Sequence, residues 1–127
     1  MYEKHLFEYA VIRVVPRVER EEFQNVGVVL YCKSQSLLDS IFKLDEVKLK
    51  ALFKDIDLAD LKERLCAFNN ICAGGSEGGK IGKMLPAERF RWLTSPRSTI
   101  IQTSAVHPGL CLDAKETLTK LFNQLVL

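Results

Sequence analysis

Residues Gly74 to Lys80 read GGSEGGK, seven of the eight positions of the phosphate-loop pattern G-x-x-x-x-G-K-[ST]. The chemistry such a loop performs is phosphate binding. Backbone N–H groups and a helix N-terminus surround the anion after a buried strand has delivered the chain to it. Two features oppose that role here. The preceding residues, LKERLCAFNNICA, have helical rather than strand periodicity, and Ile81 stands where a Mg²⁺-binding hydroxyl belongs. The segment reads instead as a loop between helices, begun by a glycine stop.

Thiols and imidazoles are the next groups that could do chemistry. The cysteines are Cys32, Cys66, Cys72 and Cys111, and the histidines are His5 and His107. A structural zinc site needs four converging ligands. Six residues along a helix turn a side chain by about 240°, which puts Cys66 and Cys72 on different faces. His107 and Cys111 are four apart, and neither pair has C-x-x-C spacing. Ser76 in GGSEG has the letters of G-x-S-x-G, but it follows helical periodicity and not the strand that a nucleophile elbow needs. His5 lies in an N-terminal segment prone to fray, and His107-Pro108-Gly109 reads as a turn. The expectation is reduced thiols near or within apolar elements, with no metal, no cofactor and no assigned catalytic residue.

The most polar constellation is Arg89 to Gly109, RFRWLTSPRSTIIQTSAVHPG. Guanidinium groups beside hydroxyls suit carboxylate or phosphate, because the planar fork binds two oxygens at once. An exposed Trp92 would add a stacking surface. The opposing reading makes Trp92 a core residue and pairs Arg89 with Glu88 or another acid. Arg13 is a second anomaly. It interrupts an apolar strand and needs a partner if buried, which Glu19, Glu21 or Glu22 could supply. Asn25 favours a turn and Gly27 permits a bulge or close approach at the start of the next strand. The candidate ligand- or partner-binding set is therefore Arg13, Asn25, Arg89, Trp92, Arg97, Ser98 and His107. Convergence of part of that set at one sheet end is the geometry it would require.

Those residues must be held by a scaffold. FEYAVIRVV (Phe7 to Val15) is rich in β-branched residues and stops at Pro16, and VGVVLYC (Val26 to Cys32) is apolar on both faces. LLDSIFKL supplies a third strand after a short polar turn, so the three read as an antiparallel meander. Asp45 and Asp57 then cap two helices, the second with Leu58, Leu61, Leu65, Phe68 and Cys72 on one face. Pro86 opens a short helix, AERFRWL. TIIQTS (Thr99 to Ser104) is a fourth strand, and Asp113 with Glu116 starts a last helix. Strands cluster before helices, so the fold class is α+β, with a mostly antiparallel sheet of about four strands and helices packed against one face. The apolar second face of the Val26–Cys32 strand is compatible with a homodimer, or with helices on both faces.

The chain has 127 residues, 47% hydrophobic and 27% charged, which suits a single globular domain spanning residues 1–127. A net charge of +2 is too small to imply a polyanion, and Arg89, Phe90, Arg91, Trp92 and Arg97 form a weak version of a nucleic-acid stripe. No apolar run reaches the roughly 20 residues of a membrane span. The N-terminus lacks a small-residue cleavage site after an apolar run, so a cytoplasmic location is expected.

Two long motifs, YAVIRVVPRVEREEFQNVGVVLYC (Tyr9 to Cys32) and PAERFRWLTSPRSTIIQTSAVHPG (Pro86 to Gly109), together with the final amphipathic helix, give the chain its resemblance. It resembles a bacterial family known as domain of unknown function 3037 over nearly its whole length. The resemblance implies a cytoplasmic, single-domain bacterial protein and supplies no activity. At family level it also implies gene neighbours encoding a HipA-like kinase, a modest push towards the protein partner that the lack of a catalytic constellation and the Arg/Trp-bearing segment already make the leading expectation. The rival reading is an enzyme or ligand-binding protein for a phosphate- or carboxylate-bearing small molecule, with Arg13, Asn25, Arg97, Ser98 and His107 lining its site. Nucleic acid is the least favoured partner.

Overall fold

A computed structural model describes residues 3–17 and 20–127. Strand β1 (His5–Val14) is the hub of the sheet. Strand β2 (Gln24–Cys32) pairs antiparallel to one side of it, and β3 (Leu37–Phe42) pairs antiparallel to β2. On its other side β1 pairs with β4 (Ile101–Thr103) through Ile12–Val14 and with β5 (His107–Cys111) through His5–Tyr9. The register slips by one residue between those two pairings. Strands β4 and β5 are thus two halves of one edge strand broken by a bulge. Ser104 repairs the break: its buried hydroxyl accepts from the Val11 N–H at 2.8 Å and donates to the Ala105 carbonyl at 2.9 Å.

Two corrections to the sequence reading follow. His107-Pro108-Gly109 is not a turn but the start of β5. Proline is tolerated on an edge strand. Gly109 is required there, because a Cβ would stand 2.5 Å from Cζ of the Phe7 ring. His5 is likewise in β1, with Nδ1 at 2.8 Å from the Ser34 hydroxyl.

The helices are α1 (Glu46–Leu52), α2 (Leu58–Ala73), a short α3 (Gly79–Gly82), α4 (Pro86–Leu93) and α5 (Ala114–Leu125). Asp45, Asp57 and Asp113 cap α1, α2 and α5 by accepting backbone N–H bonds, as their side-chain chemistry predicts. The helices cover both sheet faces, not one. Ala10, Ile12, Val14 and Val29 pack under Leu61, Leu65 and Phe68 of α2 and Phe90 and Leu93 of α4. Phe7, Val28, Leu30 and Cys32 pack under Ala114, Leu118 and Phe122 of α5. Period-two alternation in β1 and β2 forces this division, since each strand is apolar on both sides. Val26 is the extra residue of a β1–β2 bulge, and Gly27 lies so close to β3 that a Cβ would be 2.5 Å from the Ile41 carbonyl.

Candidate functional site

The β4 half of the broken edge strand separates two depressions. On the helix-covered side, α2, α4 and β4 enclose a cleft of about 210 Å³. Its floor is apolar: Phe68 and Ile71 from α2, Leu93 from α4 and Ile101 from β4. Trp92 and Arg97 form one rim. Trp92 is 39% exposed and so is not a core residue. The Arg97 guanidinium lies 4.3 Å from the Trp92 ring centroid and donates to the Trp92 carbonyl. Burial against the rim lowers the Arg97 pKa from its ordinary value. Arginine titrates so high that it stays charged near neutral pH. Arg64, the other cation at this cleft, is already paired with Asp60 at 2.8 Å.

On the other side of β4, Arg13, Phe23, Gln102 and Thr103 line a depression of about 410 Å³. The Arg13 guanidinium lies 4.1 Å from the Phe23 ring centroid, and its Nε donates to Asn25 Oδ1 at 3.4 Å. Of the acids expected to meet Arg13, Glu19 lies outside the described residues. Glu22 pairs with Arg20 at 2.9 Å, and Glu21 lines the depression without reaching the guanidinium as an ion pair. Gln102 and Thr103 line both depressions, so the two arginine–aromatic stacks flank one strip of edge strand. Register explains this, because Gln102 sits opposite Arg13 across β1–β4.

The remaining candidates are dispersed. Arg89 is buried in the lock between α2 and α4. Its Nη1 donates to the Ile71 and Cys72 carbonyls, both at 2.8 Å, and its Nε to the Met84 carbonyl at 3.1 Å. It partners backbone oxygens at the C-terminal end of α2, a natural place for a cation. Asn25 ties β2 to the end of α5 through the Leu125 carbonyl at 3.2 Å. Ser98 is exposed in the connector after α4. His107 stacks at 5.4 Å on Tyr9, at the β5 half of the edge. Arg13, Trp92 and Arg97 are therefore brought to the β4 edge, while Arg89 and His107 are not. Gln102 joins the site from the polar Arg89–Gly109 constellation, and Thr103 and Phe23 join it without having been singled out. Their only signal in the sequence was proximity to the arginines, because the register that places them is a long-range pairing.

The glycine-rich loop follows α2 and folds back on itself. The Gly75 N–H donates to the Gly82 carbonyl at 2.7 Å and the Gly78 N–H to the Gly75 carbonyl at 3.2 Å. Those two amides are therefore not free to meet an anion. Gly74 and Gly82 answer to packing instead: a Cβ on Gly74 would meet Arg89 Nη1 at 2.6 Å, and one on Gly82 would meet the Gly75 carbonyl at 2.4 Å. The thiols are also dispersed. Cys66 is exposed and Cys72 buried on the same helix, as the rotation argument requires. His107 and Cys111 stand about 13 Å apart along β5, from four residues of strand rise. Among the described residues, no group of three or more His, Cys, Asp or Glu side chains could hold a metal ion. Cys72 rests against Ser40 at 3.5 Å, and burial pushes its pKa up to about 11.

Architecture and site together define a small α+β protein whose antiparallel sheet carries helices on both faces and an arginine-flanked edge. The chain belongs to the family described as protein of unknown function DUF3037, whose family model matches residues 9–126. No curated protein and no solved structure matches it. Among the described residues, no helix is long and apolar enough to cross a membrane.

Proposed function

We propose that this chain is a non-enzymatic, cytoplasmic interaction module that binds a protein partner through the α2–α4–β4 cleft and its Trp92–Arg97 rim. One observation carries the reading: the cleft joins an apolar floor to a cation–aromatic rim and, among the described residues, is lined by no carboxylate, histidine or cysteine. Such a lining supplies binding surface without a general acid, base or nucleophile. That composition places a small-molecule enzyme second. A HipA-like kinase is the partner class that the family resemblance suggests, and a homodimer is the alternative assembly.

Tagged wild-type protein and a Trp92→Ala/Arg97→Gln variant, used as parallel baits in the native bacterium, test the reading. A stoichiometric partner should be captured by the wild type and lost from the variant at unchanged thermal stability. Equal capture by both removes the cleft from the interface. Recovery of the bait as a dimer lacking another protein supports the homodimer.

A further inference from the structure

The outer edge of β4 is a row of backbone groups with a charge pattern on either side. Ile100 and Ser104 bond inward to β1, through Val15 N–H to the Ile100 carbonyl at 2.7 Å and Ser104 N–H to the Val11 carbonyl at 2.8 Å. Inward and outward groups alternate along an antiparallel strand, so Ile101 and Thr103 turn their N–H and C=O groups outward. The Thr99 hydroxyl already donates to the Ile101 carbonyl at 2.8 Å, which leaves the Thr103 groups and the Ile101 N–H at the edge. An extended chain laid there would direct alternate side chains to the two sheet faces. On one face it meets the apolar floor of the cleft and Arg97; on the other it meets Arg13.

Neither arginine has a carboxylate within ion-pair distance among the described residues. Each lies over an aromatic ring, 4.1 Å from the Phe23 centroid and 4.3 Å from the Trp92 centroid, so its position is held while several of its N–H donors stay open. Among the described residues, Glu21 is the one carboxylate lining either side of the strip. The charge that completes this surface is negative, and it is needed on both faces of the same strand.

We infer that the outer edge of β4 takes an extended acidic segment of a protein partner as an added strand, with carboxylates on Arg97 and Arg13 and an apolar side chain in the cleft between α2 and α4. The inference rests on the interaction-module reading and specifies its occupant. Main-chain bonds to Ile101 and Thr103 give affinity, and the two arginines and the apolar floor select the segment. A peptide satisfies this surface better than a nucleic acid does. The edge offers amide-pairing groups that a sugar-phosphate backbone cannot answer in kind, and the two aromatic rings nearest the edge, Trp92 and Phe23, already carry arginines.

A fluorescein-labelled peptide, SELEEVES, titrated against the full chain by anisotropy and by amide hydrogen exchange tests this. Saturable binding that weakens with salt, slower exchange at Ile101 and Thr103, and about tenfold weaker binding for Arg13→Gln and for Arg97→Gln are expected. Arg97→Lys should recover part of the loss. The amide readout on the wild type stands even if a variant folds poorly. Equal binding of SKLKKVKS, tighter binding of oligouridylate, or binding that leaves both amides unprotected overturns the inference. No binding of SELEEVES overturns it too. The interaction reading itself survives any of these results if the Trp92→Ala/Arg97→Gln bait still loses its partner, and falls if it does not.

Discussion

Arg89 and Arg97 belong to one stretch of chain and have opposite fates. Arg89 turns inward and its guanidinium satisfies three main-chain carbonyls. Replacing it with methionine keeps much of the volume but strands those buried oxygens. The expected cost is about 2–4 kcal/mol, read by urea denaturation. Arg97 turns outward onto Trp92, so Arg97→Gln should change the melting temperature little. Sequence could not separate the two, because both are arginines one helix turn or connector from an aromatic. What separates them is the position of the α2 C-terminus, a tertiary fact. The cysteines show the same principle through reactivity. At pH 8 iodoacetamide should label Cys66 and spare Cys72, whose thiol is pushed up to about 11 by burial. A thiol raised in the folded state from the ordinary 9.0 holds its proton longer than in the unfolded chain. Its contribution to stability is therefore complete below about pH 9 and declines between about 9 and 11. Cys72→Ala should flatten that decline in a pH series of chemical melts.

At the level of elements, the three aspartate caps and the strands Phe7–Val15 and Val26–Cys32 were legible because local chemistry decides them. Capping and period-two alternation act over a few residues. The β5 strand was not legible, because Pro108 and Gly109 carry turn propensity that only the Phe7 ring and the edge position override. The bulge between β4 and β5 is the element on which the edge geometry turns. Ser104→Ala removes both bonds of its hydroxyl and leaves the Val11 N–H buried. A loss of about 1–3 kcal/mol is expected, together with faster amide exchange at Val11. Gln35 plays a comparable part at the other end of the sheet. It donates to the Leu112 carbonyl at 2.9 Å and accepts from the Ala114 N–H at 2.7 Å, fixing the start of α5 over its core. Gln35→Ala should destabilise by about 1 kcal/mol, measured by denaturant midpoint. Nothing in the turn KSQS announces this clamp, since its target lies far along the chain.

For the molecule as a whole, the α+β class was legible from the order of periodicities, while the distribution of helices over two faces was open until the partners of β2 were known. The candidate site was half legible. Arginine, tryptophan and hydroxyl chemistry pointed to the right segment, but the site exists because residues at both ends of the chain meet across β1. A patch elsewhere on that sheet remains uncovered: Leu6 and Leu110 face each other across β1–β5 at 62% and 64% exposure. A Leu110→Glu variant should preserve the fold and suppress self-association. Light scattering over a concentration series would check it, with an unchanged mass curve removing this patch from any dimer.

The lock at Arg89 also has a kinetic meaning. The guanidinium of Arg89 in α4 holds the end of α2 through two bonds of 2.8 Å in a crowded space beside Gly74, so concerted motion of the two cleft walls is the expected consequence. A guest should then meet walls already in place. The slow step of recognition then lies with the incoming segment, which must straighten before it docks. The association rate should accordingly respond to stiffening the guest, by proline or cyclisation, more than to any loosening of this protein.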